Sequence, residues 1–266
     1  MVKQKLSGVP ETLLIPLWAR AIETKKSNPI IKDYKAVEMM DSIDYDFSKF
    51  DNTWMSQVGV AVRTELLDNA TKTFINKHPN AVVINIGCGL DTRFFRLDNN
   101  EIRWYELDLP EPIRIKKQFF SETERYKMIA KSVLDYSWIN EIHVSNKPIL
   151  IIVEGLLMYF TEQEVKSLIN KLVTIFPNAE MLFEMMSPTL VKRSKQHDTA
   201  SKVGVDFKWG IKNGKEMLKY NKKIQFIAEW NYFDYHKDRW RWLRWVVLIP
   251  ALKNCFSNRI VNLRFS

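Results

Sequence analysis

Apolar residues recur at helical spacing through the first 78 positions. Residues 11–24 and 32–40 each carry an amphipathic stripe, with Ser27-Asn28-Pro29 between them. Residues 54–77 place Val58, Val62, Leu66, Ala70 and Phe74 along a helix, which His78-Pro79-Asn80 closes. The period then changes. Residues 81–86 form a short β-branched run ended by Gly87, the composition of a strand buried on both faces. Similar runs at 102–107, 126–130, 148–153 and 181–185 alternate with helical stretches at 111–121, 137–143 and 161–176. The last of these opens on Thr161 and Glu164, the spacing of a capping box. Strands alternating with helices imply right-handed crossovers and a mostly parallel sheet, so the fold class expected is a doubly wound, Rossmann-like α/β domain. Residues 186–224 are polar and lysine-rich and read as a helical lid insertion. Runs at 224–232 and 260–265, with a helix expected over 239–247, would complete a seven-stranded sheet with an antiparallel member. The organisation expected is a helical cap (1–78), an α/β core (79–185), the lid (186–224) and C-terminal strands (225–266).

Composition narrows the class further. The chain has 266 residues, and no apolar run approaches the roughly 20 residues that span a bilayer. Cys88 and Cys255 are too few for a disulfide framework or a structural zinc site, and the first 17 residues carry no secretory pattern. A cytoplasmic protein without a metal site is expected. The net charge of +9 is unevenly placed: residues 185–266 carry 17 basic and 6 acidic side chains, against 23 and 25 over 1–184. Within the basic part, Arg239-Trp240-Arg241-Trp242-Leu243-Arg244-Trp245 interleaves cations with aromatics. Such a run suits single-stranded nucleic acid or a membrane surface, or a helix that packs its tryptophans on the sheet and leaves its arginines in water. The last is favoured.

Four stretches carry candidate chemistry. Gly87-Cys88-Gly89 follows the first core strand, where a tight turn lets a ligand approach the backbone. A dinucleotide fingerprint would place a third glycine at Thr92, so a smaller adenosine-containing ligand without a pyrophosphate fits better. Asp108 ends the second strand about 20 residues further on, the position from which a carboxylate accepts from a ribose diol. Asp135 follows the third strand and could meet an adenine amino group, or simply cap a helix. Glu154 ends the buried fourth strand, where an unpaired carboxylate is costly and a partner or ligand is needed.

The runs Asn85-Ile86-Gly87-Cys88-Gly89-Leu90-Asp91-Thr92-Arg93-Phe94, Trp104-Tyr105-Glu106-Leu107-Asp108-Leu109-Pro110 and Glu154-Gly155-Leu156-Leu157-Met158-Tyr159, in that order, resemble the leucine carboxyl methyltransferase family, and more closely its bacterial polyketide O-methyltransferase branch. Leu17-Trp18-Ala19-Arg20-Ala21 and the helix bearing Arg63 extend the likeness over about residues 10–185. The resemblance implies a class I methyltransferase fold with S-adenosylmethionine as cofactor and S-adenosylhomocysteine as product. It places Arg63 at the methionine carboxylate, Gly87 and Gly89 under the cofactor, Asp108 at the ribose, Asp135 at the adenine and Glu154 near the amino group. Arg20 falls near a cofactor-contacting lysine of the eukaryotic members. The implied acceptor is an oxygen, carboxylate or hydroxyl, of a small molecule. A protein C-terminal carboxylate is the alternative, and nucleic acid the weaker one, because Glu154-Gly155-Leu156-Leu157 stands where base-nitrogen methyltransferases commonly carry Asn/Asp-Pro-Pro-aromatic. Tyr159, His197 and His236 are candidates for the acceptor pocket, and no general base is assigned.

Overall fold

The computed structural model describes residues 2–3, 12–193, 206–256 and 258–266. His197 and part of the expected lid lie outside the described residues. Strand β1 (Val2–Lys3) pairs in parallel with β2 (Ile43–Asp44) as a small separate sheet.

The first three helices are α1 (Leu14–Thr24), α2 (Tyr34–Ser42) and α3 (Trp54–Lys77). The second starts later than its stripe because Asp33 caps it, accepting from the backbone N–H of Ala36. The main sheet then forms from β3 (Val82–Ile86), β4 (Arg103–Asp108), β5 (Tyr126–Ala130), β6 (Ile149–Val153), β7 (Glu180–Met186), β8 (Ile224–Asn231) and β9 (Asn258–Phe265). Its order is β5-β4-β3-β6-β7-β9-β8, with β3 to β7 parallel and β9 antiparallel to both of its neighbours. This is the expected doubly wound sheet with its antiparallel member.

The sheet is buried on both faces. Val83, Trp104, Leu150 and Leu182 point into the core shared with α1 to α3. Val82, Ile84, Tyr105, Ile151 and Phe183 point into the opposite core, which α6 (Glu162–Ile175) covers with Val165, Leu168, Ile169 and Leu172. Period-two alternation thus feeds two apolar layers from every central strand. The capping box at the start of α6 forms as the sequence predicts.

The structure is shorter in helix than the periodicity suggests. Between β3 and β4 stands α4 (Arg93–Leu97), and 111–121 contributes only α5 (Pro110–Lys116). The 137–143 stretch is a 3-10 turn over Tyr136–Glu141. After β7, α7 (Pro188–Lys192) begins on Pro188 with Ser187 as its cap. Residues 208–211 then run beside the sheet edge, where Lys208 N–H donates to Met158 and Ile211 N–H to Met186. The expected 239–247 helix is broken: a 3-10 turn over Lys237–Trp240 is followed by Arg241 at φ +48°, then by α8 (Leu243–Val246) and α9 (Pro250–Phe256). A left-handed residue cannot continue a right-handed helix, so the Arg/Trp period is not that of one helix face.

Arg239 ties this C-terminal stretch to the N-terminal helices. Its guanidinium donates to Glu23, which is wholly buried and also receives Ile30 N–H, Lys26 and Gln57.

Candidate functional site

The chain passes from β3 through β4 and β5 on one side of the sheet, then crosses back to β6 beside β3. A crevice opens at the carboxyl edge of a doubly wound sheet where the order reverses in this way. Gly87 follows β3 with φ +67° and Gly89 with φ +47°, a backbone region that costs other residues. A Cβ on Gly87 would sit 2.8 Å from Leu156 Cδ2, and one on Gly89 would sit 2.9 Å from Leu13 Cδ2. The turn therefore needs both glycines for conformation, while the leucine tips that a Cβ would meet could shift aside.

Above the turn lies a cavity of about 630 Å³. That volume is in the range that takes a cofactor-sized ligand. Its lining includes the polar group Arg20, Arg63, Gly87, Gly89, Asp91 and Glu154 and apolar side chains such as Met186, Leu190, Phe207, Phe233, Trp240 and Phe256.

The polar group rests on a buried ionic network. Arg63 Nε lies 2.7 Å from Glu154 Oε1, and its Nη1 donates to Glu184 Oε2 at 2.9 Å. Arg93 is fully buried and bonds Asp91 through Nη1 (2.6 Å), Glu154 through Nη2 (2.7 Å) and Asp68 through Nε (2.7 Å). Arg96 joins Asp68 to Asp33, and Arg20 donates from Nε to Asp33 (2.8 Å) and from Nη2 to the Leu90 carbonyl (2.8 Å). Burial alone would raise Glu154, yet Arg63 and Arg93 hold its carboxyl below the usual range. Burial likewise opposes Asp91, and Arg93, Arg96 and Arg20 hold it well below. Five carboxylates (Asp33, Asp68, Asp91, Glu154, Glu184) thus face four guanidinium groups, leaving one negative charge in excess.

The sequence-predicted residues divide by place. Arg20, Arg63, Gly87, Gly89, Glu154 and Tyr159 line the cavity. Arg63 and Glu154, expected at opposite ends of a methionine, touch each other directly. Asp108 stands just behind the wall, its Oδ2 accepting from Gly89 N–H (2.7 Å) and its Oδ1 from Leu109 N–H (2.7 Å). Burial pushes its carboxyl up against the pull of those two N–H groups. Asp135 is exposed and caps the following 3-10 turn through Ser137 N–H, away from the cavity lining. His236 is also off the lining, with Nε2 2.7 Å from Glu65 Oε2.

Arg93, Asp91 and Glu184 are site residues that motif reading passed over. Glu184 had a legible signal: it interrupts the apolar run Met181-Leu182-Phe183 and Met185-Met186 in the middle of a strand. It is almost wholly buried and accepts from Arg63, Gly155 N–H, Tyr232 Oη and Asn258 Nδ2. Arg93 had none, because an arginine after a glycine turn reads as a surface residue.

The packing expected of the tryptophans holds only for Trp240, which is buried against Phe233 at 4.6 Å between ring centroids. Trp242 and Trp245 are exposed, following the break at Arg241, and Trp242 also lines the cavity.

Similar solved structures carry the same fold. A DUF574 family protein from Streptomyces avermitilis superposes with a TM-score of 0.61 at 11% identity, covering 94% of this chain and 97% of that one. Magnesium protoporphyrin IX methyltransferase from Synechocystis gives 0.53 at 9% identity, covering 88% and 94%. Strand order and crevice thus define a doubly wound, Rossmann-like α/β fold of the methyltransferase class. The model of the family described as leucine carboxyl methyltransferase matches residues 14–173, and the chain belongs to that family. Among its relatives, the tetracenomycin polyketide synthesis O-methyltransferase TcmP of Streptomyces glaucescens is 31% identical over 231 residues, 86% of this chain and 85% of that protein. The S-adenosyl-L-methionine-dependent methyltransferase dpfgK of Gibberella zeae is 29% identical over 257 residues, 86% of each.

Proposed function

We propose that the cavity holds S-adenosylmethionine against its polar group and a small apolar acceptor against its apolar side chains, and that the enzyme methylates an oxygen of that acceptor. The observation that carries this reading is that one cavity is lined both by charged side chains of a buried ionic network and by large apolar side chains. The ionic network fits the cofactor chemically. Its single excess negative charge balances a ligand whose sulfonium, ammonium and carboxylate sum to +1. Glu154 and Glu184 would face the ammonium and Arg63 the carboxylate, exchanging part of their mutual contact for the ligand. Gly87 and Gly89 would leave room for the adenosine, and Asp108, one backbone group away, would accept from the ribose.

Bound there, the cofactor supplies an electrophilic methyl group on a sulfonium centre. The chain's own residues hold the acceptor in line and exclude water. The described lining contains no histidine. Tyr159 and Tyr232 both line the cavity, and burial keeps both phenols protonated well past neutrality. An acceptor that arrives already ionised, a carboxylate or an acidic enol or phenol, therefore suits the chamber best. Arg193 lines the chamber with its guanidinium 5.5 Å from the Phe256 ring centroid, placed to meet such an anion. Polyketide-type aromatic acids have this combination of apolar plane and acidic oxygen.

Among the described residues no helix is long and apolar enough to cross a membrane, and both cysteines are free thiols. A cytoplasmic enzyme fits these facts.

Calorimetric titration with S-adenosylhomocysteine tests the reading. The wild type should bind one equivalent. Glu154→Gln, which removes the charge facing the ammonium but keeps a hydrogen-bonding side chain, should weaken binding by at least tenfold. No binding by the wild type, or equal binding by the variant, refutes the assignment.

A further inference from the structure

We propose that residues 237–256 dock the enzyme on an anionic phospholipid surface. Trp245 (64% exposed), Leu248 (69%) and Ile249 (54%) stand on the outside of the molecule within five consecutive positions, and Trp242 (60%) is exposed beside them where it also lines the main cavity. A soluble protein rarely leaves so many large apolar side chains together in water. Aromatic and aliphatic side chains in one patch are the mixture that settles into the headgroup boundary, with tryptophan at the interface.

The charge of the segment chooses the lipid. Residues 237–256 contain Lys237, Arg239, Arg241, Arg244 and Lys253 against the single carboxylate of Asp238. Leu248 also lines a second hollow of about 290 Å³ whose charged lining is Lys237, Arg244 and Lys253 with Asp234 as the one carboxylate. Lys253 pairs with Asp234, and the Arg244 guanidinium lies 4.9 Å from the Trp245 ring centroid. The hollow thus joins cationic groups to the most exposed aliphatic side chain, which is where a headgroup phosphate sits relative to its acyl chains.

The backbone is prepared for such contact. Within the patch, Trp245 N–H donates to Trp242, Val247 N–H to Leu243 and Lys253 N–H to Ile249, so fewer main-chain groups need water. The buried Trp240 and the Arg239–Glu23 ion pair fix the segment to the body. Single-stranded nucleic acid is the weaker partner, because Leu248 and Ile249 neither stack on a base nor pair with a phosphate.

Vesicle co-sedimentation decides the matter. The full chain is mixed with vesicles of phosphatidylcholine alone, or of phosphatidylcholine and phosphatidylserine in equal parts. The wild type should partition at least tenfold more strongly onto the anionic vesicles, and less so as salt rises. Trp245→Ser/Leu248→Ser/Ile249→Ser should lose at least tenfold. Lys237→Gln/Arg244→Gln should lose about 25-fold, at about fivefold per cation. None of these five residues lines the main cavity, so S-adenosylhomocysteine titration of each variant reports its folding. A cofactor-site failure would appear there, separately from partitioning. If the triple variant does not fold, the charge variant decides alone. Wild type left in the supernatant with anionic vesicles overturns the proposal. So does unchanged partitioning of a folded variant, or tighter binding to a single-stranded RNA oligonucleotide than to the vesicles.

Discussion

Replacing Arg93 by methionine tests the ionic network most directly. The side chain is fully buried and neutralises three carboxylates at once. Glu154 would keep Arg63 at 2.7 Å, and Asp68 would keep Arg96 at 2.7 Å. Asp91 would fare worst: its nearest remaining guanidinium is Arg96 Nη2 at 3.8 Å, beside the N–H groups of Asn85 and Thr92. The network's excess would double to two negative charges in a dry environment. Breaking a buried pair in this way costs about 3–5 kcal/mol, against a total stability of roughly 5–15 kcal/mol. At about 2–4 °C per kcal/mol, the melting temperature at neutral pH should fall by about 10 °C. The pH dependence carries the diagnosis. In the wild type Asp91 and Glu154 have folded pKa values below their unfolded ones, so they stabilise above the unfolded pKa and lose that contribution as pH falls. In the variant the shift of Asp91 reverses, burial now dominates there, and protonating that stranded carboxyl recovers stability as pH falls toward about 4. Differential scanning calorimetry at neutral and mildly acidic pH should show the gap narrowing with acid. A melting temperature within about 2 °C of the wild type at neutral pH, or a gap that stays constant, would refute the reasoning.

Two further outcomes are expected. Gly87→Ala places a Cβ at φ +67° and against Leu156, so urea denaturation should show a loss of about 1–2 kcal/mol, and a loss below about 0.5 kcal/mol would contradict the strain argument. Burial opposes ionisation of Glu23, but Ile30 N–H, Lys26, Arg239 and Gln57 hold its pKa at about 2, so its stabilising contribution is complete above about pH 4.5 and lost as pH falls toward 2. That contribution is at most about 3 kcal/mol. Glu23→Gln should therefore differ from the wild type at neutral pH and converge with it in acid, and parallel stability curves down to the acid limit would sink the idea.

The strands, the glycine turn, the capping box of α6 and the carboxylate after β6 were all legible in the sequence, because each depends on residues within one or two turns of chain. Alternation, β-branching and Gly-x-Gly carry the same physical meaning wherever they occur. The turn of the chain at Arg241 was not legible, since Arg-Trp-Arg-Trp-Leu-Arg-Trp has helical composition and only its packing sets φ at +48°. That turn separates the buried Trp240 from the exposed Trp242 and Trp245.

Sequence by itself thus determined the fold class, the family likeness and the edge of the sheet on which the site is built. Tertiary structure alone decided the pairing of charges. Asp135 and Asp108 look alike as letters after strands, yet one is a solvated cap and the other accepts from the glycine turn. Arg93 and Glu184 became site residues only when α4 and β7 brought them to Glu154 and Arg63. A charged side chain has no periodic signature of its own. Whether it is solvated or buried depends on partners that the fold supplies, such as Glu154 61 positions from Arg93 and Glu184 121 positions from Arg63.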